Sequence, residues 1–398
     1  MSPTLRRAGP DDLAAIARVD SRGFGFHHDP VDIDDLRPLF EPGRYLLATE
    51  DGPDGEEIIG VAGSYSFAVT LPGGTVFPTQ GVTWVSVPAT HRRRGVLRAM
   101  MTAQLTGFAE EGVALSLLTA SDAAIYGRYG YGPASQERTV EVDRRYARFR
   151  TDAPDPGGVR YAEPDRARAH APEVHRRWAA ATPGAVARDG RWWDAAFHDR
   201  ERHRGGGSAL FHLVHPDGYA SYRVHPGDVC KVVDLFAATA GAHAALWRVL
   251  LGLDLVSTVR TFACPLDDPL PLLLEDPRLV RTVGLRDGVW ARVVDVPATL
   301  AARRYAVEVD AVLEVADPLL AAGGRFRLRG GPDGAECAPT TRPAQARTDI
   351  AALGSVVFGA HRWRTLAAAG RVDAAGPVPG RLDAAFAPER DPRHGTHF

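Results

Sequence analysis

Leu13, Ile16 and Val19 recur at helical spacing behind Asp11 and Asp12, a pattern that predicts an amphipathic helix opened by two acids. A second helical stretch surrounds Leu36 and Leu39. Residues 45–48 and 58–67 then read as strands of a hairpin meander, parted by the turn Asp51-Gly52-Pro53-Asp54-Gly55. Residues 82–87 form the next strand. Leu97, Met100, Met101, Gln104, Leu105 and Phe108 line a helix that follows Gly95 and stops near Gly112. The apolar run 113–118 is what a strand buried on both faces requires, and Ser121 and Asp122 cap a short helix holding Ile125 and Tyr126. These elements make one α/β unit, assigned to residues 1–145.

Polar residues dominate 142–158, where Arg144, Arg145, Arg148 and Arg150 lead into Asp152-Ala153-Pro154-Asp155-Pro156-Gly157-Gly158, a linker composition. A second α/β stretch, 146–291, follows. In it a strand over 232–238 leads through Gly241 into a helix carrying Leu246, Trp247, Leu250 and Leu251, repeating the order of the first unit without its arginines. From 292 to 398 the pattern changes again, with strands over 305–315 and 325–328, the segment 350–354 and a helix around Leu366. That is a mixed α+β module, suited to packing or to a lipid pocket, with no local cluster of catalytic residue types.

Composition narrows the function classes. Lys+Arg of 47 against Asp+Glu of 49 gives a net charge of −2, so the chain lacks the global basic field of a nucleic-acid or anionic-membrane binder. Cys230, Cys264 and Cys337 are too few and too scattered for a disulfide framework or a cysteine metal site, and the expected compartment is the cytoplasm. No segment is apolar enough for a signal peptide or a membrane span. His27 and His28 lack a third ligand at plausible spacing, so no metal is expected.

The positive charge is local. Trp84-Val85-Ser86-Val87-Pro88 precedes Arg92-Arg93-Arg94-Gly95-Val96-Leu97-Arg98, so a β-branched strand runs into an arginine-glycine turn that opens a helix. Helix starts leave about four N–H groups unpaired and carry a partial positive charge, which makes this turn a candidate pyrophosphate cradle. The backbone of Val85, Ser86 and Val87 is placed to pair with an extended thioester arm. Ser121 and Asp122 would flank that arm where two parallel strands part. Tyr126, a phenol with a pKa of about 10 near the 8.5 of a thiol, is a candidate acid for a departing thiolate; Tyr129 and Tyr131 close by leave open its reading as a core residue. The acids of 29–35, beside His27 and His28, suit a polyamine or else form a solvated loop, and Trp84 suits an aromatic wall.

The order strand, Arg-x-x-Gly-x, helix resembles the acetyl-CoA motif of the GCN5-related N-acetyltransferases (GNAT). With Ser121-Asp122, Tyr126, two further domains and a C-terminal aromatic, the whole chain resembles the enhanced intracellular survival (Eis) family of that superfamily. The resemblance implies tandem GNAT domains, the second degenerate, followed by a sterol-carrier-protein-like domain, and a homohexamer. It implies acetyl-CoA as co-substrate and direct transfer to primary amines, such as those of aminoglycosides or lysine side chains, in a ternary complex. By it Tyr126 is the acid and the terminal carboxylate of Phe398 the base, while Val85, Ser86, Val87, Arg93, Arg94, Gly95, Val96, Leu97, Arg98, Ser121 and Asp122 hold the cofactor. Leu97 stands where the broader superfamily has a small residue. A non-catalytic CoA or lipid carrier is the alternative that the same residues leave open.

Overall fold

The computed structural model describes residues 3–53 and 55–398, so Asp54 of the expected turn lies outside the described residues. The chain divides into two compact units. One comprises the described residues up to Ala134 together with Val289–Glu389 and His397–Phe398; the other comprises Ser135–Gly288 and Arg390–Thr396.

The first unit is built on β1 (Thr4–Arg7), β2 (Leu46–Gly52), β3 (Gly55–Thr70), β4 (Val76–Ser86) and β5 (Leu115–Thr119), continued by the strand Val289–Val293 and the short strand Gly132–Pro133. β1 to β4 pair antiparallel, and β4 pairs with β5 in parallel. Helix α1 (Leu13–Phe24) buries Leu13, Ile16, Ala17 and Val19, as its spacing predicts, and ends at Gly25, whose φ of 79° only glycine adopts cheaply. α2 (Pro30–Leu36) passes into a 3-10 turn over Arg37–Leu39, since Pro38 removes a donor from any continued α-helix. α3 (Val96–Glu110) buries Val96, Met100, Met101, Gln104, Leu105 and Phe108 on the sheet, and α4 (Ala123–Tyr126) follows β5. Strands β3 and β4 outrun their expected lengths because their turn-proximal ends pair only with each other, which apolar runs alone do not reveal.

The same unit carries a second sheet of five strands, in order Gly334–Pro339, Gly324–Gly331, Val309–Ala316, Ala346–Asp349, Val372–Ala374. Here Arg303 is fully buried and, among the described residues, pairs with no carboxylate: its guanidinium donates to the carbonyls of Val356, Val357 and Phe386 and lies over the rings of Tyr305 and Phe386. Burial lowers its pKa to about 10.

The second unit is a seven-stranded sheet in which Val229–Ala237 pairs in parallel with Thr258–Cys264, and a helix over Ala240–Leu251 joins them. The arginine-rich segment read as a linker is packed instead. Arg144 donates to Leu251 O, Gly252 O and Asp254, Arg150 donates to Leu272 O, and Phe149 bridges to Leu274. Residues 390–396 belong to this unit: Arg393 N donates to Pro183 O, Val186 N to His394 O, and Arg188 to Gly395 O and Thr396 Oγ1.

Strand pairing cuts across chain order. Gln136–Asp143, which precedes residue 145, pairs with Thr258–Cys264 and Val280–Asp287 of the second sheet. Val289–Val293 straddles residue 291 and pairs with β5 of the first. Among the described residues no helix is long and apolar enough to cross a membrane.

Candidate active site

β4 and β5 stay paired from Gln80↔Ser116 to Val82↔Leu118 and then part. On its other edge β4 meets β3 at Gly63↔Thr83 and again at Val61↔Ser86, so Trp84 and Val85 form a bulge opposite one residue. Trp84 holds φ at +53°, a left-handed conformation that costs an indole-bearing residue about 1–3 kcal/mol. The bulge turns Val85 toward the gap between the two strands.

That gap opens into a cleft of about 650 Å³ lined by Val85, Ser86, Val87, Arg93, Gly95, Val96, Leu97, Arg98, Ser121, Asp122 and Tyr126, with Phe24, Arg92 and Tyr129. Gly95 precedes α3 with φ of 84°, and among the described residues no side chain caps the helix, so its first N–H groups lie open at the cleft. Arg93, itself left-handed at φ 63°, and Arg98 present exposed guanidiniums there, with no ion pair holding either among the described residues. A polyanion fits this end.

The other arginines are spent. Arg94 does not line the cleft: its guanidinium donates to Glu50 at 2.6 Å, beside His91, which bonds the same carboxylate. Arg92 donates to Val87 O and Gly23 O, tying α1 to the end of β4. The Ser86 hydroxyl donates to Val19 O, which makes it a helix-to-strand contact, and Gly23 faces it so closely that a Cβ would stand 1.9 Å from Ser86 Oγ. Asp122 caps α4, accepting from Ala124 N.

A second, smaller cavity of about 290 Å³ meets the first. It is lined by Asp20, Phe24, Phe26, Trp84, Val85, Thr119, Ser121, Tyr126 and Phe398, among others. Phe24, Val85, Ser121 and Tyr126 are common to both cavities. The three neighbouring tyrosines therefore separate: Tyr131 is buried against Ser116 Oγ at 2.8 Å, Tyr129 lines only the larger cleft, and Tyr126 faces both. Burial raises the Tyr126 phenol to about 12, partly offset by its hydrogen bond with Ser121.

Asp20 was not visible as a site residue in the sequence. It lies buried on α1, its carboxylate 3.0 Å from His28 Nε2, and the His28 ring stacks on Trp84 at 5.3 Å. Burial raises the Asp20 pKa, and the His28 contact opposes that rise. Phe398 sits against Phe67, ring centroids 5.0 Å apart, and Thr119 Oγ1 donates to an oxygen of its terminal carboxylate at 3.5 Å. The acids of 29–35 do not line either cavity: Asp29 accepts from Val31 N and Asp32 from Asp29 N as caps of α2, and Asp34 pairs with Arg37.

In the second unit the corresponding turn is closed. The helix Ala240–Leu251 is capped by Thr239, whose hydroxyl accepts from Ala242 N at 3.2 Å, and no arginine stands at its start.

Comparison with known proteins bears on the domains and the fold. Residues 4–134 and 184–293 each match the model of an acetyltransferase (GNAT) domain, and residues 296–393 that of a sterol carrier protein domain. The N-acetyltransferase Eis of Mycobacterium tuberculosis is 40% identical over 397 residues, covering 97% of each chain. An uncharacterised N-acetyltransferase of Streptomyces coelicolor is 37% identical over 366 residues, covering 88% of each. The crystal structure of Eis1 from Mycobacterium abscessus superposes with a TM-score of 0.87 at 36% identity, covering 99% of this chain and 100% of that one.

Proposed function

The chain belongs to the Eis family of GCN5-related N-acetyltransferases, an enzyme family that moves acetyl from acetyl-CoA to amines, and on that footing we propose how its residues do so. The larger cleft takes acetyl-CoA, with the pyrophosphate on the open N–H groups of α3 between Arg93 and Arg98. Val85, at the bulge, offers its backbone to the acyl end. The smaller cavity takes the amine. Tyr126 stands where they meet, and this shared position is the observation that carries the reading.

The amine arrives as an ammonium and must lose a proton before it attacks. Asp20 and the terminal carboxylate of Phe398 supply negative charge in its cavity, and Trp84, Phe24 and Phe26 supply aromatic faces, a combination that selects cations. We assign Asp20 the role of an anchor for the ammonium, whose first proton leaves to water, and Phe398 that of acceptor for the proton nitrogen sheds as the C–N bond forms, since a carboxylate with an ordinary pKa of about 3.5 is too weak a base for a resting ammonium. The departing thiolate needs stabilisation. Full proton transfer from a phenol of pKa about 12 to a thiolate of pKa about 8.5 is uphill by about 5 kcal/mol, so Tyr126 acts as a hydrogen-bond donor as charge develops on sulfur. Both reactants are bound together for direct transfer, and neither cavity is lined by a cysteine that could carry the acetyl as a thioester.

Two carboxylates in one aromatic-walled cavity favour acceptors carrying several amines, aminoglycosides foremost, with lysine side chains as a second class. Release of CoA thiol from acetyl-CoA, measured against aminoglycosides, polyamines and lysine peptides, tests this. We expect turnover to be fastest with the multiply charged amines, and absence of turnover with every amine would return the protein to a carrier role. We further propose a homohexamer, on the family resemblance, and a cytoplasmic location, on the few and scattered cysteines; sedimentation at a monomer's mass would overturn the former.

A further inference from the structure

Residue 81 of β4 is buried beneath two rings. Gly81 pairs with Tyr65 on β3 and with Leu117 on β5, the last stretch before the strands part. A Cβ on Gly81 would lie 2.7 Å from Phe67 Cδ2 and 2.8 Å from Phe398 Cε2, closer than carbon atoms tolerate. Its backbone is an ordinary extended one, and it is absent from the residues with positive φ, so glycine is not required there by chain conformation. What glycine supplies is a floor low enough for the Phe398 ring to lie against the sheet, with Phe67 as its side wall and Thr119 Oγ1 donating to an oxygen of its terminal carboxylate.

We propose that Gly81 is a positioning residue for the acetyl transfer, forming with Phe67 a seat that fixes the Phe398 ring and thereby aims the terminal carboxylate into the amine cavity. The inference rests on the role given above to that carboxylate. Phe67 and Phe398 are both only half-buried, so their rings yield to an intruding side chain more readily than the sheet does. The cost of a larger residue at position 81 therefore falls on the placement of Phe398 and hence on rate. A displacement of about 1 Å at a reacting group lowers turnover by about a hundredfold.

The test is a size exchange across the seat. Gly81→Ala and Gly81→Val should lower kcat progressively, between about tenfold and a hundredfold, while the acetyl-CoA dissociation constant and the thermal midpoint stay near those of the unaltered enzyme. Phe398→Leu keeps the terminal carboxylate and shortens the ring; combined with Gly81→Ala it should recover part of the lost kcat. A Gly81→Ala enzyme with normal kcat, or a double variant no better than Gly81→Ala alone, overturns the seat. A chain with two residues appended after Phe398 separates the two levels. If that chain is fully active, the role of the terminal carboxylate fails; if it is inactive while the exchange shows no reciprocity, only the seat fails.

Discussion

At the scale of single residues, chemistry follows from which cavity a side chain faces. Tyr126 is held protonated by burial: with a pKa raised from about 10 unfolded to about 12 folded, the stability it contributes is fully present below pH 10 and is lost only as pH rises toward 12. The same shift keeps the donor form populated throughout the working range. Tyr126→Phe should thus lower kcat by about a hundredfold with acetyl-CoA binding nearly intact, and by the same factor at every pH from 7 to 10. A loss that varies with pH across that range in initial-rate profiles would mean the phenol ionises there, contrary to this assignment. Tyr126 was legible in the sequence because it follows a capped turn after a buried strand. Asp20 left a fainter mark, a carboxylate four residues after Ile16 on the apolar stripe of α1, a place where a charge is costly without a partner. Its partner His28 and its neighbours Phe24 and Phe26 come together only through folding. The acids of 29–35 carried their true role in plain view, since Asp-Pro followed by Asp at the third position is how a helix is capped.

Two strand-turn-helix elements of this chain share an order and differ in how their helix starts are satisfied. In α3 the first N–H groups are uncapped and face a cleft; in the helix Ala240–Leu251 the Thr239 hydroxyl answers them. The absence of arginines near Gly241 was readable beforehand, and the capping threonine adds a physical reason, because a donor already bonded has little left for a phosphate. The three arginines beside Gly95 looked equivalent in sequence and are not. Glu50, 44 residues away, claims Arg94, and backbone carbonyls claim Arg92. Arg93→Ala and Arg98→Ala should therefore each raise the KM for acetyl-CoA about tenfold with little change in kcat, while Arg94→Ala should leave that KM nearly unchanged. Steady-state kinetics at fixed ionic strength check this, and an Arg94→Ala effect as large as that of Arg93→Ala would show that Arg94 leaves Glu50 for the cofactor.

Across the whole molecule, periodicity foretold the strands and helices but not which strands would lie side by side. Alternation and burial specify that a strand has two covered faces; they say nothing about its edge partners. Hence Val289–Val293 gave no sign in the sequence that it covers β5, nor Gln136–Asp143 that it joins the other sheet. A fragment ending at Ala134 lacks the strand that pairs with both β5 and Gly132–Pro133, and leaves open edges of buried, apolar strands. We expect such a fragment to aggregate on size-exclusion chromatography; a soluble monomer that binds acetyl-CoA would refute the expectation.

The same strand bears on inheritance. Genes trade domains by recombination when a domain is one unbroken stretch of codons, and neither unit here is one: the sheet that holds the cleft is closed by codons lying some 150 positions downstream of the rest, estimated from the length of the intervening unit. A crossover anywhere between them delivers an acetyltransferase sheet with a missing stave. The order of the segments along the chain is thus tied to the fold, because separating them parts β5 from the strand that covers its edge.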